Sequence, residues 1–217
     1  CTMPISKSIL KNGANFSFPG HTEYLAHLDG KNTFGMMLVN KFLRVVPATI
    51  HIPIKDITKY LTAELLEKTI KTTHQELTSR FAIPNPNIWI SGLNPHAGEA
   101  GTIGDEENNF IIPAIKKLRS EGYSLVGPIS ADTMFYRKKR LKFDAAICMY
   151  HDQALIPIKT LDFHSSVNLT IGLSFIRTSP DHGTAFDIAG KNLANPTSTI
   201  EAIKLAWKLV KKEKKDR

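Results

Sequence analysis

The chain has 217 residues, 42% hydrophobic and 22% charged, a balance that excludes a disordered or collagen-like polymer and is large enough to bury a sizeable core. Two cysteines, Cys1 and Cys148, are too few for a disulfide scaffold, and no apolar stretch approaches the roughly 18 residues that cross a bilayer, so a reducing, cytoplasmic setting without membrane contact is expected. Of the net +8, seven cations against two acids in the last fourteen residues contribute +5; with no aromatic side chain in the last seven, a solvated tail is expected rather than a nucleic-acid arm.

The first β-rich run covers 43–50, and Pro47 within it predicts an edge or a bulge, because proline brings no amide to a ladder. Over 62–81, Leu66, Ile70, Thr73, Leu77 and Phe81 recur at steps of three and four with charged residues between them, the pattern of an amphipathic helix. A short apolar strand at 88–91 leads into a glycine-rich loop at 92–104. A helix over 106–120 follows, with Ile111, Ala114, Ile115 and Leu118 inward, Pro113 in its first turns and Gly122 as its stop. Runs at 124–126, 143–150 and 167–173 read as strands, several apolar throughout, as strands covered on both faces are. Ser198 and Glu201 read as a capping box for a final helix whose inner face is Ile200, Ile203, Trp207 and Val210. The alternation predicts an α/β fold, a mainly parallel sheet with flanking helices, with 1–190 as one domain and 191–217 as a C-terminal helical segment.

Three of the apolar runs deliver a histidine at or just beyond their carboxyl ends: 43–50 into His51, 88–91 through a short loop into His96, and 145–150 into His151. Open α/β sheets bind ligands outside the carboxyl ends of their strands, so parallel strands would bring three imidazoles to one crevice. Neutral imidazole suits Zn²⁺, Co²⁺, Ni²⁺ or Fe²⁺, and three protein ligands leave room for substrate. His27 and His74 sit among polar residues and carry no expected role. Asp105, Glu106 and Glu107 follow the glycine loop; they would repel a phosphate, so the loop reads equally as a structural turn. Polar clusters suited to a phosphorylated ligand lie at 20–23, Lys159, Asn168 and 177–179. Lys159 and Arg177 are set in mostly apolar sequence, where an unpaired charge is costly.

Laid in order, Phe-Pro-Gly-His-Thr-Glu at 18–23, Gly-Leu-Asn-Pro-His-Ala-Gly-Glu at 92–99, Gly-Pro-Ile-Ser-Ala-Asp-Thr at 127–133, Tyr-His-Asp-Gln at 150–153 and Phe-Ile-Arg-Thr-Ser-Pro-Asp-His-Gly-Thr at 175–184 closely resemble the 4-hydroxythreonine-4-phosphate dehydrogenase family of vitamin B6 biosynthesis. The resemblance covers nearly the whole chain. It implies a fold like that of isocitrate and isopropylmalate dehydrogenases and an NAD-dependent (or NADP-dependent) oxidation of 4-phosphooxy-threonine. Loss of CO₂ would then leave 3-amino-2-oxopropyl phosphate. It further implies a divalent metal (Zn, Mg or Co) on His51, His96 and His151, the third reaching across a homodimer interface. His21, Thr22, Lys159, Asn168 and Arg177 match substrate-binding positions. Asp132 and Lys159 are the candidates for proton transfer. Relatives carry an additional N-terminal segment the size of a small domain, and the final helix is expected to return to it. Many also have a histidine where Thr102 stands.

Three other functions fit the same residues. A paralogous dehydrogenase would take threonate or erythronate 4-phosphate, which lack the amino group. A metal-dependent hydrolase would use three histidines and a water with Asp152 as base. A third is a catalytically silent fragment that binds metal or phosphate.

Overall fold

The computed structural model describes residues 1–213; Lys214, Lys215, Asp216 and Arg217 of the charged tail lie outside the described residues. In chain order its elements are α1 (Lys7–Ala14), α2 (His21–Leu28), β1 (Gly35–Val39), β2 (Arg44–Pro47), α3 (Ile57–Tyr60), α4 (Ala63–Ser79), β3 (Ile88–Ser91), α5 (Ile112–Ser120), β4 (Leu125–Ile129), α6 (Arg137–Arg140), β5 (Ala145–Cys148), α7 (His151–Leu161), β6 (Val167–Ile171), β7 (Arg177–Pro180) and α8 (Thr197–Glu213). The strands form one sheet in the order β4-β3-β5-β2-β1-β6-β7. The four strands from β4 to β2 are mutually parallel, while β1 runs antiparallel to β2 and β6, and β7 antiparallel to β6. Five strands thus share one direction, as the expected α/β fold requires.

Strand periodicity explains how this sheet is covered. Ala145 and Ile147 of β5 join the cluster beneath α4 and α5, with Ile88, Ile90, Leu66, Ile70, Leu77, Ile115 and Leu118. Ala146 and Cys148 point the other way, to Trp89, Val45 and to Ala154, Leu155 and Ile158 of α7. Both faces are therefore dry at the centre, which is why these segments are apolar throughout. The burial that seals Cys148 also pushes its thiol pKa up, as expected of an inert core cysteine. The α4 stripe read from the sequence is buried, and Thr62 caps the helix by accepting from Leu65 N at 3.1 Å.

Three local expectations are corrected. β2 is central, between β5 and β1, and Pro47 marks neither an edge nor a bulge: it ends the strand beyond the β1 ladder, whose pairs are Leu38 with Val45 and Val39 with Arg44. Ser198 is no helix cap, because its hydroxyl accepts from Asp181 N (3.0 Å) and donates to Ser166 O (2.9 Å), tying α8 to the sheet. Asn195, two residues before α8 begins, instead satisfies a first-turn amide, its Oδ1 accepting from Thr197 N at 3.0 Å. The inner face of α8 is Ala202, Leu205 and Leu209, while Ile200, Ile203 and Trp207 are exposed, Trp207 by 62%. Both faces are apolar, so periodicity alone left two choices of buried side. β1 and β7 were absent from the sequence reading; β7 is Arg-Thr-Ser-Pro, which has no apolar pattern and is buried because the sheet and α8 enclose it.

Candidate active site

The parallel ladder decides which histidines meet. Val45 pairs with Ala146 and Pro47 with Cys148, and the register continues past the strands through Ala48 N to Cys148 O (2.8 Å), Thr49 N to Met149 O (3.2 Å) and Thr49 Oγ1 to Met149 O (2.7 Å). Two residues later the chains present His51 and His151, whose ring centroids are 5.7 Å apart. Burial, then the positive fields of Lys7 and His151, lower the His51 pKa against the opposing Glu23 carboxylate, so its imidazole is neutral at pH 7. His151 shares a hydrogen bond between Nδ1 and Asp152 Oδ1 at 2.7 Å, which orients the ring and leaves Nε2 for a ligand.

His51 also lines a cleft of about 540 Å³ together with His21, Thr22, Lys159, Asn168 and Arg177. All five residues expected to hold substrate therefore share one wall system, although they come from α2, α7, β6 and β7. Arg177 is buried; its Nε and a terminal nitrogen donate to Thr2 Oγ1 (3.0 and 2.8 Å), and its other terminal nitrogen donates to Thr170 Oγ1 (3.0 Å) and Thr22 Oγ1 (3.4 Å). Desolvation lowers its pKa from the usual guanidinium value, with Glu23 opposing. Lys159 forms an ion pair of 3.1 Å with Asp181. Asn168 Oδ1 is buried without a hydrogen-bond partner, an acceptor left for a donor on a ligand. Burial, then Arg177, lowers the pKa of His21.

His96 and Asp132 stand apart from this cleft. Among the described residues no three His, Cys, Asp or Glu side chains are grouped as a metal needs. His96 sits instead near Asp132, whose carboxyl is held below the usual carboxylate range chiefly by the Ser130 hydroxyl donating to Oδ1, with His96 adding to the effect. The two residues expected to move protons are thus separated: Lys159 is on the cleft and Asp132 beside His96. The two histidines that meet in one chain are His51 and His151, so a ligand supplied by a neighbour would be His96 rather than His151.

The loop carrying His96 is built against local preference. Residues 96–100 all have positive φ, and four of them are not glycine, a conformation that costs L-residues roughly 1–2 kcal/mol each. Buried Glu107 holds it: Oε1 accepts from Leu93 N (2.7 Å) and Asn94 N (2.8 Å), and Oε2 accepts from Asn94 Nδ2 (2.9 Å). A β-carbon on Gly98 would lie 2.6 Å from Glu107 Oε2, which is why a glycine stands there. The glycine loop is therefore a turn closed by two of its three acids, Glu107 and, through Asn94 Nδ2, Glu106. Gln153 joins the loop to β5: its Oε1 accepts from Ser91 Oγ (2.7 Å) and Met149 N (2.7 Å), and its Nε2 donates to Gly92 O (2.8 Å).

Glu107, Gln153 and Lys7, which also lines the cleft, escaped the sequence reading. Gln153 carried a signal as the last residue of Tyr-His-Asp-Gln at 150–153; Glu107 was hidden among three acids, and Lys7 among many surface lysines.

A second, mostly apolar cleft of about 570 Å³ adjoins the first at Asp181, His182 and Gly183 and is otherwise walled by Phe163, Ala185, Ile188, Leu193 and their neighbours.

Residues 1–206 match the model of a family described as pyridoxal phosphate biosynthetic protein PdxA. The chain is similar to 4-hydroxythreonine-4-phosphate dehydrogenases from a Ruegeria species (56% identity over 97% of this chain and 65% of the relative) and from Roseobacter denitrificans (59%, 95% and 64%). A crystal structure of 4-hydroxythreonine-4-phosphate dehydrogenase from Klebsiella pneumoniae matches with a TM-score of 0.87 at 40% identity, over 95% of this chain and 62% of that one. A terephthalate 1,2-cis-dihydrodiol dehydrogenase from Burkholderia xenovorans matches at 0.74 and 32%, over 94% and 64%. The chain spans about 65% of the length of the curated relatives it matches.

Proposed function

Because this chain belongs to the PdxA family of pyridoxal phosphate biosynthetic proteins, we propose that it carries the metal- and substrate-binding part of an NAD-dependent 4-hydroxythreonine-4-phosphate dehydrogenase acting as a homodimer. The reaction oxidises 4-phosphooxy-L-threonine at its hydroxyl carbon, with the hydride going to NAD⁺ (or NADP⁺) and the hydroxyl proton released. The resulting β-keto acid loses CO₂, and a proton returns to the carbon it leaves, giving 3-amino-2-oxopropyl phosphate. The observation that carries this reading is the single cleft lined by His21, Thr22, His51, Lys159, Asn168 and Arg177.

The donor set fits a divalent cation: two imidazoles side by side, His51 kept neutral by burial and His151 oriented by Asp152. His51 and His151 of one subunit would hold the metal with His96 of the other, and the bound ion would supply Lewis acidity at the substrate oxygen. His96 and Asp132 would then enter the site together. The adjoining apolar cleft is of a size and placement to hold the nicotinamide cofactor next to the substrate. Buried Arg177, locked by three threonine hydroxyls, is a fixed positive wall that orients an anionic substrate. Asn168 Oδ1 accepts from a substrate ammonium or hydroxyl. The Lys159 ammonium, held at 3.1 Å by the Asp181 carboxylate, is the group on the cleft that can deliver a proton at Nζ, leaving a neutral amine beside that carboxylate until a proton returns.

The test is NADH formation by the full-length protein containing this chain, with 4-phosphooxy-L-threonine and with erythronate 4-phosphate as alternative substrates. Turnover of the amino acid substrate with release of CO₂ is expected. Turnover of the hydroxy acid alone would assign the chain to a paralogous activity.

A further inference from the structure

The cleft is walled by three cations in different states. Arg177 is buried and spends its guanidinium on Thr2, Thr22 and Thr170. Lys159 is ion-paired with Asp181 at 3.1 Å. Lys7, the first residue of α1, lines the same cleft, and among the described residues it makes no side-chain hydrogen bond and no ion pair. The Lys7 stem crosses Gly20: a β-carbon there would lie 3.3 Å from Lys7 Cε, 3.5 Å from its Nζ and 3.1 Å from Glu23 Oε2. Glu23 thus lies on the same wall of the cleft, and among the described residues the two do not close an ion pair. An ammonium beside a cleft, with its charge unspent, gains most from an entering oxyanion, since a charge-assisted hydrogen bond is roughly twice as strong as a neutral one.

We propose that Lys7 is the residue that receives an oxyanion of the substrate, through a hydrogen bond from its ammonium to a phosphoryl or carboxylate oxygen. This rests on the reading of the cleft as the site of a phosphorylated amino acid. Lysine suits the task as a compact point charge that follows the ligand, whereas Arg177 is a rigid fork with four of its five N–H groups already spent on threonine hydroxyls. Lys7 thereby sets affinity, and Arg177 sets the shape of the wall.

The experiment is titration calorimetry of the full-length protein with inorganic phosphate and, separately, with L-threonine, for wild type, Lys7→Met and Lys7→Arg. Lys7→Met is expected to weaken one of the two probes by about tenfold or more, and Lys7→Arg to stay within about threefold of wild type. Loss with phosphate alone assigns the phosphoryl group; loss with L-threonine alone assigns the carboxylate. Unchanged binding of both probes in Lys7→Met overturns the proposal. So does an equal loss in Lys7→Arg, which would mean a role in shape rather than charge, and so does a wild-type protein that takes up neither probe. Neither probe is turned over, so a protein that binds through Lys7 yet forms no NADH would refute the reaction and keep the contact.

Discussion

Replacing Glu107 by Gln tests whether the buried carboxylate holds the His96 loop. The side chains have the same shape, and a glutamine Oε1 can still accept from Leu93 N and Asn94 N, at present 2.7 and 2.8 Å away. Its amide nitrogen, however, would face Asn94 Nδ2, now a donor at 2.9 Å to Oε2. Flipping Asn94 offers no escape, because Asn94 Nδ2 also donates to Glu106 Oε2 at 2.7 Å, and a flip would set a carbonyl oxygen against that carboxylate. One charge-assisted bond is lost outright and two become neutral, which amounts to about 2–3 kcal/mol. For a chain of this size that is a fall in Tm of about 4–12 °C if the loop melts with the domain. If the loop opens locally instead, the loss appears as hydrogen exchange at the Leu93 and Asn94 amides with a smaller change in Tm. Thermal melts and amide exchange on the same sample distinguish these cases. A variant that melts within about 1 °C of wild type with both amides still protected would show that Glu107 does not hold the loop.

Further expectations concern the shared site, the histidines and the last helix. Full-length His96→Ala and His51→Ala proteins are each expected to lose metal, and randomly mixed subunits to regain about a quarter of the wild-type sites, one per mixed dimer; no recovery on mixing would place His96 in its own subunit's site. His21 and His74 have pKa values lowered from 6.5, the first by burial and then Arg177, the second by burial. The native state therefore binds fewer protons than the unfolded chain just below pH 6.5. Their stabilisation is complete above that pH and lost as pH falls through the lowered values. Urea midpoints between pH 7 and 5 should fall accordingly, and an NMR titration placing His21 at or above 6.5 would contradict this. In the present chain Leu209→Ala should cost about 2–5 kcal/mol, whereas Trp207→Ser should change stability by no more than about 0.5 kcal/mol. A cost for Trp207→Ser as large as that for Leu209→Ala would mean that the exposed stripe is covered in solution.

Sequence by itself determined the elements whose periodicity has one solution. The α4 stripe of Leu66, Ile70 and Leu77 and the doubly buried β3 and β5 could be read directly, because an apolar face of fixed period must find a core. The strand-end positions of His51, His96 and His151 were legible for the same reason; His21, Thr22, Lys159, Asn168 and Arg177 were legible as polar clusters and through the family resemblance, whereas Lys7 on the same cleft was not. Where two patterns competed, local sequence was silent: α8 carries apolar residues on two faces, and only contact with β6 and β7 chose Ala202 and Leu209 over Ile200 and Trp207. Ser198 looked like a helix cap and became a tie between β6 and α8, since a hydroxyl takes the partners that tertiary contact brings to it. The left-handed turn at 96–100 runs against the preference of every L-residue in it, and the Glu107 carboxylate, eleven positions beyond His96, is what stabilises it. Which histidines meet was decided by strand order: β2 and β5 are neighbours in register and bring His51 to His151, whereas the path from β3 to His96 is set by that turn. A sequence specifies its own periods, but register, strand order and the partner of a buried polar group are properties of segments far apart in the chain, settled only when they pack.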